Sequence, residues 1–331
     1  MIPVLLSAGE VKSLGGRFIW AGPAYPAGDY SLRNMDKTRF KLLAKKDGHE
    51  ITEMDELQAY HEIHPGAVYM HEGTLYEVVK MDLVGRTAEA VDFDGNYYTV
   101  PSGTKETRIL RCFEEEEYKR TKLHFGDVNA NEVISMFQKL QFHNHQNLGY
   151  VTLTQPLKKD YDTESAWITL PENVVRAYRS LLVPNRQGQY ILNDHFEGMK
   201  YAIKNASMMI TMTERDDIDV AVSNNATIPD DYYHVKVSLF IYDKYEGGLG
   251  YSEKIYGLVP EILYNAIRMV KGCPCEDGCP ACVGDYTLDK GMILWGLENL
   301  LEETEAPEYV RKNIKEPHPA RTKESSFFEL P

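Results

Sequence analysis

Four cysteines lie within ten residues near the end of the chain, and their spacing is the clearest chemical signal in the sequence. They are Cys273, Cys275, Cys279 and Cys282 in GCPCEDGCPACVGD, spaced C-x-C-x3-C-x2-C. Thiolates this close in sequence can surround one tetrahedral metal ion, and a structural zinc site takes four such ligands with no open position. The spacing therefore predicts one structural Zn²⁺ ion, and no substrate water on it.

Other chemistry is compatible with the same residues. An iron–sulfur cluster also takes four thiolates, and we keep it as the less favoured cofactor. Cys279 and Cys282 alone would fit a redox pair, but that leaves two cysteines unexplained. Local disulfides are disfavoured in a reducing cytosol. Metal binding accounts for the whole set, because coordination supplies on the order of 10–16 kcal/mol of apparent folding free energy in small zinc peptides.

The composition limits the class of protein. The 331 residues are 43% hydrophobic and 26% charged, which predicts a globular chain of two or three domains. We see no apolar run of about 18 residues and no secretory signal at the N-terminus, so we predict a cytoplasmic protein with no membrane partner. The formal net charge of −14 excludes a large basic face, so any nucleic acid must bind in a local groove.

The elements that must position the cysteines indicate an α+β fold. Residues 1–34 are expected to be a remnant or linker, 35–125 a small β-rich, barrel-like domain, 126–304 a mixed α/β domain whose helical C-terminal part is stapled by zinc, and 305–331 a mobile charged tail. Glu72-Gly73 and Asp94-Gly95 are expected to form hairpin turns. Cys112 follows an apolar run, and we expect it to be a buried core thiol.

Helix signals surround the cysteine segment. Apolar spacing predicts a helix that begins near Glu172 and carries Val174, Val175, Tyr178, Leu181 and Leu182 on one face. Asp194 and Glu197 are expected to form a capping pair for the next helix. Pro260 is expected to kink or split the helical segment that precedes the cysteines.

Nucleic-acid contacts are the weakest of the predicted sites. Helical arginines and lysines can bind phosphates, although solvated helix charges are more common. Glycine-rich turns between a strand and a helix can hold a phosphate on their N–H groups, although here the glycines could simply permit a tight turn, with Ser252 capping the helix. The candidates are Arg176, Arg179, Lys200, Lys204, Gly247, Gly248 and Gly250.

Two motifs together resemble a known family. The sequence YDKYEGGLGYSEKIY followed by CPCEDGCPACVG is similar to the zinc-binding C-terminal region of DEAD/DEAH-box DNA helicases of the mitomycin repair factor A (MrfA) type. Upstream segments, including YPAGDYSLRN, HPGAVYMHEGTLYEVVKMDL, SAWITLP and FEGMKYAIKNASMMITMTERDDIDV, extend the resemblance over most of residues 24–285. The cysteine block with its preceding glycine turn is the most specific part.

The resemblance implies a helicase-associated module, with the four cysteines as metal ligands. Those helicases carry two RecA-like motor domains ahead of this region, whereas this sequence has no phosphate-binding lysine motif and no D-E-x-H box. We therefore expect a non-catalytic, DNA-handling module, on single-stranded DNA, for a helicase motor on another chain or in an omitted region, in DNA repair or phage defence. The alternative is a scaffold protein that assembles such a complex without contacting DNA.

Overall fold

The structure is a computed structural model that describes residues 2–9, 11–21, 39–180, 182–184, 190–192, 194–224 and 236–307. Leu181 and residues 308–331, most of the expected charged tail at 305–331, lie outside the described residues. The described chain forms two compact units. The first comprises residues 1–106, 129–163 and 244–248, and the second comprises residues 107–128, 164–243 and 249–331. Each unit is therefore built from three separate stretches of the chain.

The first unit is β-rich. Its elements are α1 (Ile2–Ser7), β1 (Val11–Leu14), β2 (Arg17–Trp20), β3 (Arg39–Ala44), β4 (Glu50–Asp55), α2 (Glu56–Glu62), β5 (Val68–His71), β6 (Thr74–Asp82) and β7 (Thr87–Asp92). Strands β4, β3, β7, β6 and β5 form a sheet in that order, with β3 and β7 parallel and the other neighbours antiparallel. In β3 burial alternates, which is the period of a strand with one face in a core.

The core of the first unit follows from that alternation. Phe40 and Leu42 of β3 are almost fully buried, and they join the buried Val78 of β6 and Ile63 after α2. Helix α2 begins where the Asp55 carboxylate accepts a hydrogen bond from the Gln58 backbone N–H at 2.8 Å. The β-rich architecture expected for this part of the chain is confirmed.

One of the two predicted hairpin turns is present. Glu72 and Gly73 both have positive φ, of 47° and 81°, and they join β5 to β6 as a two-residue hairpin requires. Asp94-Gly95 does not join sheet neighbours, because the strand that follows it belongs to a different sheet from β7. The prediction of a hairpin there was wrong, since the dipeptide signals a turn but not the pairing of the strands on each side.

Three long strands follow, β8 (Tyr97–Tyr118), β9 (Thr121–Gln141) and β10 (Asn147–Thr169). Their residues 107–118, 121–128 and 164–169 belong to the second unit. Glu114–Glu117 lie near the end of β8, and all four are exposed. Cys112, on the same strand, is exposed, so the prediction of a core thiol was wrong: an apolar run does not reveal that its strand lacks a cover on that side.

The second unit adds the helices that hold the cysteines. Its remaining elements are α3 (Glu172–Ser180), β11 (Leu182–Pro184), β12 (Tyr190–Leu192), α4 (His195–Thr211), β13 (Ile218–Asn224), β14 (Val237–Asp243), α5 (Tyr251–Tyr256), α6 (Val259–Gly272) and α7 (Lys290–Asn299). Strand order in its sheet is β13, β14, β10, β9, β8. Every residue of β14 is buried, because both faces of that strand are covered.

The core of the second unit lies between this sheet and the helices. Helix α4 buries Met199, Ala202, Ile203 and Ala206 at the spacing of one helical face. Helices α6 and α7 pack against the same cluster, and Val283 of the cysteine segment lies within it. A methyl group added at Gly198 of α4 would stand 2.1 Å from a side-chain atom of Ile293 on α7, so glycine permits this close approach.

Of the predicted helix boundaries, the split at Pro260 is present, whereas the end of α3 and the start of α4 differ from the prediction. Pro260 lies in the first turn of α6, which begins after α5 has ended, so the predicted split is confirmed. Helix α3 ends at Ser180, and Leu182 begins a strand instead of continuing the helix. The Asp194 side chain makes no capping hydrogen bond to α4, so the predicted capping pair was wrong; Glu197 pairs with Lys200 instead. None of the described helices has the length and apolar character needed to cross a membrane.

Candidate metal centre

The four cysteines of the C-terminal motif converge. They belong to the cysteine loop, residues 273–289, which joins α6 to α7. Their Sγ atoms all lie within 4.8 Å of one another. Three of the separations are 3.6 Å for Cys273–Cys279, 3.5 Å for Cys275–Cys282 and 3.7 Å for Cys279–Cys282. The structure thus brings together all four residues that the spacing singled out.

These separations distinguish the candidate chemistries. Ligands about 2.3 Å from a zinc ion at tetrahedral angles lie about 3.8 Å from each other, close to the observed values. A disulfide needs sulfur atoms about 2.05 Å apart, and all four cysteines are free thiols. In a cluster of several irons the thiolates bind different metal atoms and spread more widely. The donor set therefore fits a zinc ion, which would have structural chemistry only, because four thiolates fill its coordination.

The protein core fixes one side of the cysteine loop. Cys282 and Val283 are buried in the core of the second unit, and the other three cysteines are half-buried against it. The chain reverses at Gly278, whose φ is +133°. A Cβ there would stand 2.4 Å from the Leu288 carbonyl oxygen, so only glycine fits without a shift of the backbone.

Lys290 fixes the other side, a role that the sequence analysis missed. Its Nζ donates hydrogen bonds to the carbonyl oxygens of Cys273 at 2.7 Å and Cys275 at 2.8 Å, and its backbone N–H donates to the backbone carbonyl oxygen of Asp277 at 2.8 Å. One residue at the start of α7 thus closes the loop from outside the ligand set. Such contacts orient metal ligands, and the ammonium offsets part of the negative charge of four thiolates.

The thiols differ in acidity before a metal binds. The backbone N–H of Cys282 lowers the pKa of Cys279 to about 7, whereas burial raises the pKa of Cys282 to about 12. Burial also raises the pKa of Cys275. Burial therefore favours the protonated thiols of Cys275 and Cys282, and a bound cation would offset the cost of their deprotonation.

The glycine-rich turn, residues 247–252, has a different geometry from a phosphate-binding loop. The buried carboxylate of Asp243 accepts hydrogen bonds from the backbone N–H groups of Leu249 at 2.6 Å, Tyr251 at 3.2 Å and Ser252 at 2.9 Å. It also accepts one from the Ser252 hydroxyl at 2.6 Å. The Asp243 carboxylate thus occupies the position that a bound phosphate would take. The Ser252 hydroxyl donates to this carboxylate and does not cap α5, so the prediction that Ser252 caps the helix was wrong.

The other N–H groups of this turn also have partners inside the protein. Gly250 donates to the carboxylate of Glu164, whose pKa is raised by burial and by the nearby Asp243. Gly247 donates to the Asp162 carbonyl oxygen and Gly248 to that of Tyr245. The three glycines have φ values between 73° and 81°, which agrees with the simpler interpretation of a tight turn.

Residues 199–283, which contain all four cysteines, match the family model described as MrfA Zn-binding domain. This segment is similar to the zinc-binding domain of MrfA. The resemblance to the C-terminal region of such helicases is thereby confirmed, together with zinc binding and the α+β fold.

Relatives extend the similarity beyond residues 199–283. The chain is 28% identical over 277 residues to the "Uncharacterized ATP-dependent helicase YprA" of Bacillus subtilis, of which it covers 34%. It is 38% identical over 73 residues to the "Uncharacterized protein MJ1572.1" of Methanocaldococcus jannaschii, covering 20% of this chain and 65% of that one. The chain thus spans about a third of the length of the first of these relatives.

Solved structures show the same architecture. A crystal structure of the DUF1998 helicase MrfA bound to DNA is 25% identical, with a TM-score of 0.51, over 90% of this chain and 39% of that one. A second crystal structure of MrfA is 23% identical, with a TM-score of 0.54, over 91% of this chain and 40% of that one. The latter similarity shows the fold alone.

The basic residues predicted to contact nucleic acid lie on α3 and on α4, and Lys200 and Lys204 of α4 fall within the segment that matches the MrfA Zn-binding domain. Arg176 pairs with Glu172 at 2.7 Å, Lys200 with Glu197 at 2.5 Å, and the mostly buried Lys204 with Asp219 at 2.9 Å. Arg179 is exposed. The structure does not gather these side chains into one site with the glycines, and their role as DNA contacts stays a prediction.

Proposed function

We propose that this chain is a non-catalytic, zinc-binding, DNA-handling module of a DEAD/DEAH-box helicase assembly, with the motor on another chain or in a region outside this sequence. One zinc ion, held by Cys273, Cys275, Cys279 and Cys282, braces the helical end of the second unit. The observation that carries the proposal is the convergence of four thiols within 4.8 Å inside a segment that matches the MrfA Zn-binding domain. We place this activity in the cytoplasm, in DNA repair or phage defence.

The metal part has a direct test. Elemental analysis of the purified chain should find one zinc per polypeptide and no iron. Iron accompanied by visible absorbance would replace zinc with an iron–sulfur cluster. A chain with no bound metal that still folds would contradict both.

The DNA part is supported by a relative that is a helicase and by a similar solved structure bound to DNA. Binding of a labelled single-stranded oligonucleotide should weaken steeply as salt rises, because each phosphate contact releases counterions. Arg176→Glu with Arg179→Glu should reduce the salt slope. Reversal of Lys271, an exposed lysine that pairs with Glu298 on α7, is the matched control.

One observation favours the alternative of a scaffold without DNA contacts. The chain has a net charge of −14, and carboxylates already engage three of the four basic candidates. A scaffold shows no salt-dependent oligonucleotide binding at all. Capture of partners from the native cell separates the two functions further: the DNA module should retain a polypeptide with helicase motor motifs, and motor-dependent unwinding should increase when the chain is added.

A further inference from the structure

The second half of β8 is a strand with no cover. From residue 110 to 117 every residue is exposed, although a strand packed on one side would alternate between buried and exposed positions. Strand β8 is also last in the order of its sheet, with β9 as its one neighbouring strand in the described part of the chain. Exposed edges of this length offer unpaired backbone N–H and C=O groups to another strand.

The exposed side chains on this edge are mostly charged, with apolar residues among them. Leu110 and Phe113 are each 46% exposed. The charges are segregated along the strand, with Arg108 and Arg111 before Phe113 and Glu114–Glu117 after it. Lys122 pairs with Glu115 at 3.0 Å and with Glu117 at 3.4 Å.

Four other charged residues of this edge, two arginines and two glutamates, have no salt-bridge partner among the described residues. Arg108, Arg111, Glu114 and Glu116 form no salt bridge within the described residues, and Arg111 lies over the Phe113 ring at 5.7 Å. The leftover charges cancel, two against two. A strand whose first half is basic and whose second half is acidic is complementary to its own antiparallel copy, because reversal places each half opposite the other.

We propose that the β8 edge, residues 108–117, binds the same edge of a second copy of this chain and extends the sheet across a two-fold axis. A two-fold axis perpendicular to the sheet places the same face of both copies on the same side of the extended sheet. The residue on the axis then lies opposite the same residue of the other copy. An axis at Cys112 places Arg108 opposite Glu116 of the other copy and Arg111 opposite Phe113. Both arrangements occur twice, once for each copy.

Several features favour a second copy over another occupant. The edge carries both signs, positive at Arg108 and Arg111 and negative at Glu114–Glu117, so a purely basic or purely acidic strand would leave one half of it unmatched. Pairing would also cover Leu110 and Phe113 in both copies. This inference does not depend on zinc or DNA, so its failure leaves the proposed function unaffected.

The test begins with the zinc-loaded chain in sedimentation velocity over a wide range of concentrations. We expect a reversible dimer. Arg108→Glu with Arg111→Glu should raise its Kd by at least about tenfold, since the carboxylate introduced at position 108 then faces Glu116 of the other copy and the basic half of the edge is lost. Glu114→Arg with Glu116→Arg should have the same effect. An equimolar mixture of these two variants should restore dimers, which is the result that a folding defect in either variant cannot produce.

The native thiol supplies a second measurement. Residues facing each other in an antiparallel pair have Cα atoms about 4.5–5.5 Å apart, within the range that a disulfide spans. Mild oxidation of the zinc-loaded chain should therefore link Cys112 to its counterpart. In a Cys112→Ser background, Tyr264→Cys gives an equally exposed thiol on α6 that should not cross-link.

The outcomes that overturn the proposal are specific. A chain that stays monomeric at every concentration excludes self-association through this edge. A dimer indifferent to both charge reversals, or cross-linked equally through the α6 thiol, uses another surface. A monomeric chain whose β8 edge is protected from hydrogen exchange only when a helicase motor polypeptide binds would assign the edge to that partner instead.

Discussion

The cysteine loop and the glycine-rich turn are both tight connections that lead into a helix of the second unit, yet they are completed in opposite ways. In the glycine-rich turn, Asp243 supplies the anion that the converging N–H groups require. In the cysteine loop, four thiols converge without a positive group among them, and Lys290 reaches only the carbonyl oxygens around them. The turn is complete as a polypeptide, whereas the loop needs a cation from outside.

The largest expected effect comes from removing the ligands. Cys279→Ser with Cys282→Ser should abolish zinc binding and lower the free energy of unfolding of the second unit by more than about 5 kcal/mol, since structural zinc contributes on the order of 10 kcal/mol in small domains. Metal analysis and thermal unfolding measure both. Cys112→Ser, which removes an exposed thiol outside the set, should retain zinc. Equal stability of the double variant and the native chain would contradict the conclusion that the cysteine loop needs a bound cation.

Next in size is the loss of the internal anion. Asp243→Ala should destabilise the second unit by about 3–5 kcal/mol, because several buried N–H groups lose a charged acceptor. Added phosphate should then stabilise this variant more than the native chain, since an anion can enter the place of the carboxylate. Glu246→Gln, at an exposed carboxylate of the same connection, should change little. If phosphate stabilised the native chain to the same extent, the N–H groups of the glycine-rich turn would not already be satisfied by Asp243.

A smaller effect is expected at the residue that closes the cysteine loop. Lys290→Met removes the two hydrogen bonds to the ligand carbonyls, and zinc affinity should fall by about tenfold, as is typical for groups that support metal ligands. Competition with a chromogenic chelator measures the affinity. Lys271→Met, at an exposed lysine near the end of α6, is the matched control and should bind zinc as the native chain does. If the two variants behave alike, Lys290 has no part in the site.

The smallest effect concerns pH. Burial, and then Asp243, raise the pKa of Glu164 above its ordinary value of 4.5, so the folded state disfavours the ionised form that the unfolded chain adopts readily. The protonated Glu164 side chain contributes to the stability of the second unit in full below pH 4.5, and this contribution is lost as pH rises through the folded-state pKa. Glu164→Gln should therefore stabilise the second unit at pH 7 by at most about 0.5 kcal/mol, because solvent screens this partly exposed group.

The measurement is a series of denaturant titrations of the native chain and Glu164→Gln between acidic and neutral pH. The two stabilities should converge as pH falls toward 4.5. A difference that grows at acidic pH has the wrong sign for a raised pKa.

Local signals predicted local features of the fold. The Glu72-Gly73 turn and the break at Pro260 depend on backbone geometry that these residues impose wherever they occur. The same kind of reasoning failed at Asp94-Gly95, at the Asp194 cap and at Cys112. In each of these cases the outcome depends on which distant strand or helix lies next to the segment, and a turn signal or an apolar run contains no information about that neighbour.

The sequence by itself determined the ligand set, because four cysteines within ten residues cannot lie far apart in any fold. It also contains the similarity of residues 199–283 to the MrfA Zn-binding domain. Only the tertiary structure decided that Lys290 closes the loop and that Asp243 completes the glycine-rich turn. Both roles depend on distances between chain segments that come together when the sheet and helices pack, and side-chain chemistry alone does not specify which of many lysines and aspartates will arrive there.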